Sequence, residues 1–197
     1  KVLTQSMSLV RLFIVLALFL GILTTSYAQT DFITALRKAH SNDTSFHPCN
    51  YTGITCDGNN SILEVRIEKD IELKLSDDAF DALDNLTVLY LYSNAISWRL
   101  TLNPGKLTKL LHLFFRGTAM SVVVGQSVCG LKLLQKLTLL EVQLTGKIPD
   151  CIGDLADLEH IQIGRPRLQT GITGTFPQAV LQLKKLKLLS LRNNNLS

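Results

Sequence analysis

The chain has 197 residues and a mass of 21.8 kDa, the length of one ordinary domain and hardly two. It is 46% hydrophobic and 18% charged, which excludes a disordered acidic or basic tail and leaves enough apolar residues for a real core. The net charge of +4 comes from scattered basic residues, so nothing calls for a nucleic-acid partner, and four cysteines are too few for a disulfide-dominated miniprotein.

The chain starts at Lys1, and Met7 is the expected start of translation. Arg11, the apolar run Leu12–Leu23 and the small residues Ser26 and Ala28 follow in the order of a secretory signal peptide. A transmembrane anchor is the rival reading, but Leu9–Leu23 contains Arg11 and falls short of the roughly 20 apolar residues a span needs. Residues 1–28 are therefore expected to be a leader, with the mature chain beginning near Gln29. Without Lys1 and Arg11 the basic count falls from 20 to 18 against 16 acids, a mature charge of +2. In a secreted chain the cysteines can oxidise, and five N-x-S/T acceptors become candidate glycosylation sites: Asn42, Asn50, Asn59, Asn85 and Asn195. Such triplets also arise by chance.

Asp31–Ala39 reads as a short capping helix. Beyond it, leucines recur in a fixed frame, with apolar residues at offsets 0, 3, 5 and 10 of L-x-x-L-x-L-x-x-N-x-L. The turns start at Ile62, Leu86, Leu110, Leu134, Leu158 and Leu186. Twenty-three of 24 template positions are apolar, Glu72 being the departure, which favours a repeat over a heptad helix. Four intervals are 24 residues and the last is 28, the extra residues falling in Gln169–Ile172. The expected fold is α/β, a solenoid with one short strand per turn pairing in parallel at about 4.8 Å, leucines inward. At offset 8, Asn94 and Asn194 can bond neighbouring backbone, whereas Asp70, Thr118, Val142 and Pro166 replace asparagine, so the middle of the array is expected to be less regular.

With these repeats the chain resembles leucine-rich repeat proteins of the plant extracellular type, a group that includes receptor-like proteins, receptor-kinase ectodomains and polygalacturonase-inhibitor-like proteins. The resemblance covers Ile62 to Ser197. Leu144-Thr-Gly-Lys-Ile-Pro149 and Ile172-Thr-Gly-Thr-Phe-Pro177 match the family's L-x-G-x-I-P segment, which implies a second short strand on one flank, with Gly146 and Gly174 permitting the turn. The second and third turns lack that segment, so the flank is expected to be ragged there. Cys49-Asn-Tyr-Thr-Gly-Ile-Thr-Cys56 resembles the family's cap motif C-x-W-x-G-V-x-C, with Tyr51 in place of tryptophan. The resemblance implies an N-terminal helical cap over residues 29–61 closed by a Cys49–Cys56 disulfide, with two free buried thiols as the alternative. It implies a second bridge, Cys129–Cys151, between adjacent turns, and assigns residues 62–197 to the repeats.

The sequence carries no recognisable catalytic signature. Gly125-Gln-Ser-Val-Cys-Gly130 resembles a phosphate loop only until Leu131-Lys132 follows, and there is no G-x-S-x-G, H-E-x-x-H or C-x-x-C. No cofactor and no metal are expected. His112 and His160 share offset 2 but lie two turns apart, about 10 Å, too far for one metal ion.

The concave sheet would present the residues between the leucines. At offset 4 these are Arg66, Tyr90, Phe114, Thr138, Gln162 and Ser190; at offset 6, Glu68, Tyr92, Arg116, Leu140, Gly164 and Arg192. Tyr90, Tyr92, His112, Phe114 and Arg116 form one patch of the residue types that anchor interfaces, with Gln162 and Arg192 further along the face. Trp98 is expected to pack on the flank. The resemblance implies a secreted or cell-surface protein that binds an extracellular protein, peptide or glycan-related partner, with a co-receptor as a further partner and membrane attachment only through a downstream anchor. Two alternatives stand beside it: the outer part of a receptor-like kinase, and a structural wall or matrix protein. Leu191–Ser197 stops in mid-turn before an expected Gly-x-Ile-Pro, so the chain is expected to be a fragment.

Overall fold

The computed structural model describes residues 31–39, 47–68, 72–75, 79–80, 82–92, 96–101, 107–117, 120–164 and 171–197. The leader, Asn42, Asp70, Asn94, Thr118, Pro166, Leu168 and the Trp98 side chain lie outside the described residues.

A helix, α1 (Asp31–Ala39), opens the described chain and buries Phe32, Ile33 and Leu36. Phe32 meets Phe80 with ring centroids 4.8 Å apart. Strand β1 (Ile54–Cys56) then runs antiparallel to β2 (Ile62–Ile67). Gly53 in the preceding turn has φ +99° and sits where a Cβ would run into the Arg66 carbonyl. That contact explains a glycine in the cap motif.

From β2 onward the sheet is parallel: β4 (Val88–Tyr92), β6 (His112–Arg116), β8 (Lys136–Leu140), β10 (His160–Gly164) and β12 (Leu188–Ser190) follow in sequence order. Alternate residues point in, as a period of two dictates. Leu89, Leu113, Leu137 and Ile161 are buried in one row and Leu91, Phe115, Leu139 and Ile163 in the next. From the second turn on, each turn closes with the same bond from offset 0 to the carbonyl three residues earlier, as in Leu86 to Leu83 (2.9 Å) and Leu158 to Leu155 (2.9 Å). Between turns, the offset-1 N–H donates to the equivalent carbonyl of the turn before: Thr87 to Leu63, Leu111 to Thr87, Gln135 to Leu111, Glu159 to Gln135 and Lys187 to Glu159, each 2.8 Å. In the last turn the inward row is more open, Leu189 being 38% exposed.

A second parallel sheet lines one flank: β3 (Leu73–Leu75), β5 (Ile96–Thr101), β7 (Met120–Val124) and β9 (Gln143–Gly146). A separate pair, β11 (Thr173–Gly174) with β13 (Asn195–Leu196), follows it. Gly146 and Gly174 have φ +95° and +96°, the left-handed geometry their motif implied. Three expectations are corrected here. The flank is not ragged in the second and third turns, where β5 and β7 are its longest strands, because main-chain pairing and the β-branched Val122–Val124 suffice without the motif. The middle of the array is not irregular either: β4, β6, β8 and β10 pair without a register shift, and Val142 at offset 8 is simply buried in the core. Glu72 is exposed, and Leu73 takes the inward place, pairing with Ile96, so in the first turn the inward position falls one residue later than in the template while the turn keeps its 24-residue spacing.

Asn194 does what its position suggested. Its Nδ2 donates to the Ile163 carbonyl of the preceding turn (2.8 Å) and to Leu191 (3.0 Å), and its Oδ1 accepts from the Ile172 N–H (3.2 Å). Both disulfides form, Cys49–Cys56 and Cys129–Cys151, with Cα atoms 5.7 and 5.8 Å apart. The second joins the 3-10 turns Gln126–Gly130 and Asp150–Asp154 of adjacent repeats. The loop-like Gly125–Gly130 segment is thus a bridged structural turn.

Candidate recognition face

The register fixes which side chains stand side by side. Arg66, Tyr90, Phe114, Thr138, Gln162 and Ser190 are paired in one row across the concave sheet. Tyr92, Arg116, Leu140 and Gly164 form the next. Tyr90 and Phe114 stack with centroids 4.0 Å apart and planes 6° from parallel. Since the rings stack along the solenoid axis, they offer their edges to the concavity. The Arg116 guanidinium lies 5.2 Å from the Tyr92 ring centroid, a cation–π geometry. Its NH2 group also donates to Glu141 Oε1 at 2.7 Å, which raises the Arg116 pKa. Tyr92 is 40% exposed, and Tyr90, Phe114 and Arg116 are half-buried.

Glu141 was not singled out from sequence, yet it holds this patch. It has φ +58° at offset 7, where Asn193 has φ +57° and Gly117 φ +148°. Its N–H donates to the Gly164 carbonyl at 3.2 Å, as the Gly117 N–H does to Leu140 at 3.4 Å. Glycine and asparagine at equivalent offsets were the signal that the chain turns left-handed there.

Burial raises the Tyr90 pKa, with the Glu68 charge adding to it. Burial lowers that of His112, reinforced by the positive charges of Lys136 and Arg66. His112 and His160 are not neighbours: Lys136 pairs with both and stands between them. Among the described residues, two buried nitrogens, Arg116 Nε and His160 Nδ1, have no hydrogen-bond partner. Among the described residues no group of three or more His, Cys, Asp or Glu could hold a metal ion.

The structure brings Tyr90, Tyr92, His112, Phe114 and Arg116 together on β4 and β6. Gln162 lies two strands beyond Phe114, and Arg192, exposed, lies beyond Gly164 on the last turn, so neither joins that cluster. Asn50, Asn59 and Asn195 are exposed, while the Asn85 amide oxygen accepts from Lys109 Nζ at 2.6 Å.

Two stacked sheets turning in register around a leucine core make this a leucine-rich repeat solenoid. Its likeness is to plant proteins, receptor-kinase LRR ectodomains among them. A polygalacturonase inhibitor of Vitis vinifera is 41% identical over 58 residues, 29% of this chain and 16% of that protein. The Arabidopsis receptor kinase HAESA, solved in complex with the peptide hormone IDA and the co-receptor SERK1, superimposes with TM-score 0.61 at 21% identity, over 83% of this chain and 33% of the receptor chain. A plant ice-binding protein gives TM-score 0.66 at 20% identity, over 83% of this chain and 54% of its own. No protein-family profile matches the chain. The chain spans about a third of that receptor's length and a smaller share of the inhibitor's.

Proposed function

We propose that this protein is a secreted or cell-surface recognition module that binds an extracellular protein or peptide through its concave face, in the manner of an inhibitor or a receptor ectodomain rather than an enzyme. The observation that carries the reading is the patch on β4 and β6. Tyr90 stacks on Phe114, and Arg116 is held between Tyr92 and Glu141. Side chains already immobilised lose little entropy when a partner arrives, and aromatic residues with arginine supply most interface energy. The leader and two disulfides agree with passage through an oxidising compartment. HAESA with its peptide hormone and co-receptor, and the polygalacturonase inhibitor, support a peptide or protein partner.

The test is to pan a phage-displayed peptide library on the secreted protein and re-measure the selected clones on Tyr90→Ala and Arg116→Ala. Each substitution is expected to weaken binding about tenfold. Clones that bind wild type and both variants equally, with the fold intact by circular dichroism, would place recognition elsewhere. HAESA also supports a second reading, the outer part of a receptor kinase. A full-length transcript that continues through about 20 apolar residues into a kinase would establish it.

A further inference from the structure

A second row crosses the same face one step toward the start of the strands: Glu64, Val88, His112, Lys136, His160 and Leu188, each paired with the next. Three consecutive members carry or can acquire positive charge, spaced about 4.8 Å apart by the sheet. Lys136 is exposed and forms no ion pair among the described residues. The nearby charges are otherwise matched: Arg66 is paired with Glu64 at 2.9 Å and Glu159 with Lys187 at 2.9 Å. His160 is half-buried, and its Nδ1, shielded from solvent, has no hydrogen-bond partner among the described residues.

We propose that His112, Lys136 and His160 form a binding site for an acidic peptide, made stronger in acid by its two imidazoles. The proposal rests on the concave face being the recognition surface, and names its partner chemistry. The outer histidines lie about 10 Å apart, close to the rise of one turn of a polyproline II peptide, which returns every third side chain to the same side after about 9 Å. Carboxylates at that spacing would bracket Lys136, while the intervening apolar side chains meet the exposed edges of Phe114 and Tyr90. An acidic sugar chain is disfavoured because sugars lie flat on aromatic faces, and here the facing sides of those two rings are used by each other.

The groups facing the imidazoles set the sign. His112 meets Lys136, Arg66, Glu64 and the Gln135 side chain, and it is held below the ordinary imidazole range by burial and by the two cations. His160 meets Lys136 on one side, Leu188 on the other and the Glu159–Lys187 pair at the strand start. With the His112 proton held back at neutral pH, Lys136 is the standing charge beside it. A bound carboxylate favours the imidazolium, so proton uptake and peptide binding reinforce each other.

The probe is a fluorescein-labelled peptide of three Glu-Pro-Leu repeats, with the Gln-Pro-Leu analogue and an oligogalacturonate as competitors. Affinity is expected to rise roughly 25-fold between about pH 7.5 and 5.5, about fivefold from each of two imidazoles whose pKa is raised by about one unit on binding. The variant His112→Gln/His160→Gln should bind with a flat pH profile, and Lys136→Gln more weakly at every pH. Imidazole NMR titrations of the wild type, which need no variant, should show both pKa values rise when the peptide is added. A flat wild-type profile, equal binding of the glutamine analogue, or better competition by the oligogalacturonate would overturn the proposal. Library peptides that depend on Tyr90 and Arg116 but show no acid preference would overturn it while leaving the concave-face reading standing.

Discussion

Glu141 offers a test in which stability and binding should move in opposite directions. Its φ of +58° puts an ordinary side chain in the left-handed region, which costs about 1 kcal/mol. In return it holds Arg116 at 2.7 Å, but the two side chains are 41% and 29% exposed, so solvent reduces that ion pair to about 0.5 kcal/mol. Asparagine adopts this conformation readily and already occupies the equivalent place at Asn193, with φ +57°. Glu141→Asn should therefore stabilise the fold by about 0.5 kcal/mol, a rise in melting temperature of roughly 1–2 °C. Freed of its carboxylate, Arg116 must be immobilised by the partner instead, a cost of about 0.5–1.5 kcal/mol per side chain, or a two- to tenfold loss of affinity. Thermal melts followed by circular dichroism and titration with a library-selected peptide measure the two effects. A variant that loses more than about 1 kcal/mol of stability, or binds as tightly as wild type, would refute the reasoning.

Three further outcomes follow from the same structure. Because the folded protein holds the His112 pKa down, the unfolded chain binds more protons, so stability should fall as pH drops from about 6.5 toward the lowered folded value, and His112→Gln should remove that component from a pH series of urea melts. Replacing Cys129 and Cys151 with serine releases a closure of 22 residues and should cost about 3 kcal/mol, read as a lower denaturant midpoint in non-reducing buffer. Gly53→Ala forces a Cβ onto the Arg66 carbonyl at φ +99° and should cost more than about 2 kcal/mol, with hydrogen exchange rising first at β1.

The inward rows were legible because a half-buried strand repeats every two residues and the solenoid repeats every turn, so one frame fixed Leu89, Leu113, Leu137 and Ile161 together. The same frame failed at Glu72, where the inward position falls one residue later, on Leu73, within a turn of unchanged length. A fixed template cannot register a local displacement that leaves an apolar residue next door. The flank sheet at β7 was readable in principle: Met120, Val122 and Val124 are buried and Ser121 and Val123 less so, the alternation of a strand, which needs no glycine motif to form. Of the site, the rows were legible and the pinning of Arg116 was not. Strand alternation shows which side chains share a face, whereas the left-handed turn that swings Glu141 back onto Arg116 is a property of the main chain.

On the proposed reading of the concave face, the regularity of the sheet is what turns these rows into units of recognition. Each strand is locked to the last by repeated 2.8 Å bonds, so side chains at one offset stand at a fixed separation that no single side chain sets. Chemistry written at one offset is therefore read across strands, not along them. The row through Tyr90 and Phe114 is apolar, stacked and insensitive to pH near neutrality, which suits it to affinity. In the proposed site the row through His112, Lys136 and His160 gains positive charge in acid, which would select when and what it binds. Because the two rows meet along β6 but use different side chains of it, substitutions in one should leave the other's contribution intact, and their effects on peptide affinity should add except at His112 and Phe114, which are two residues apart on that strand and close enough to couple.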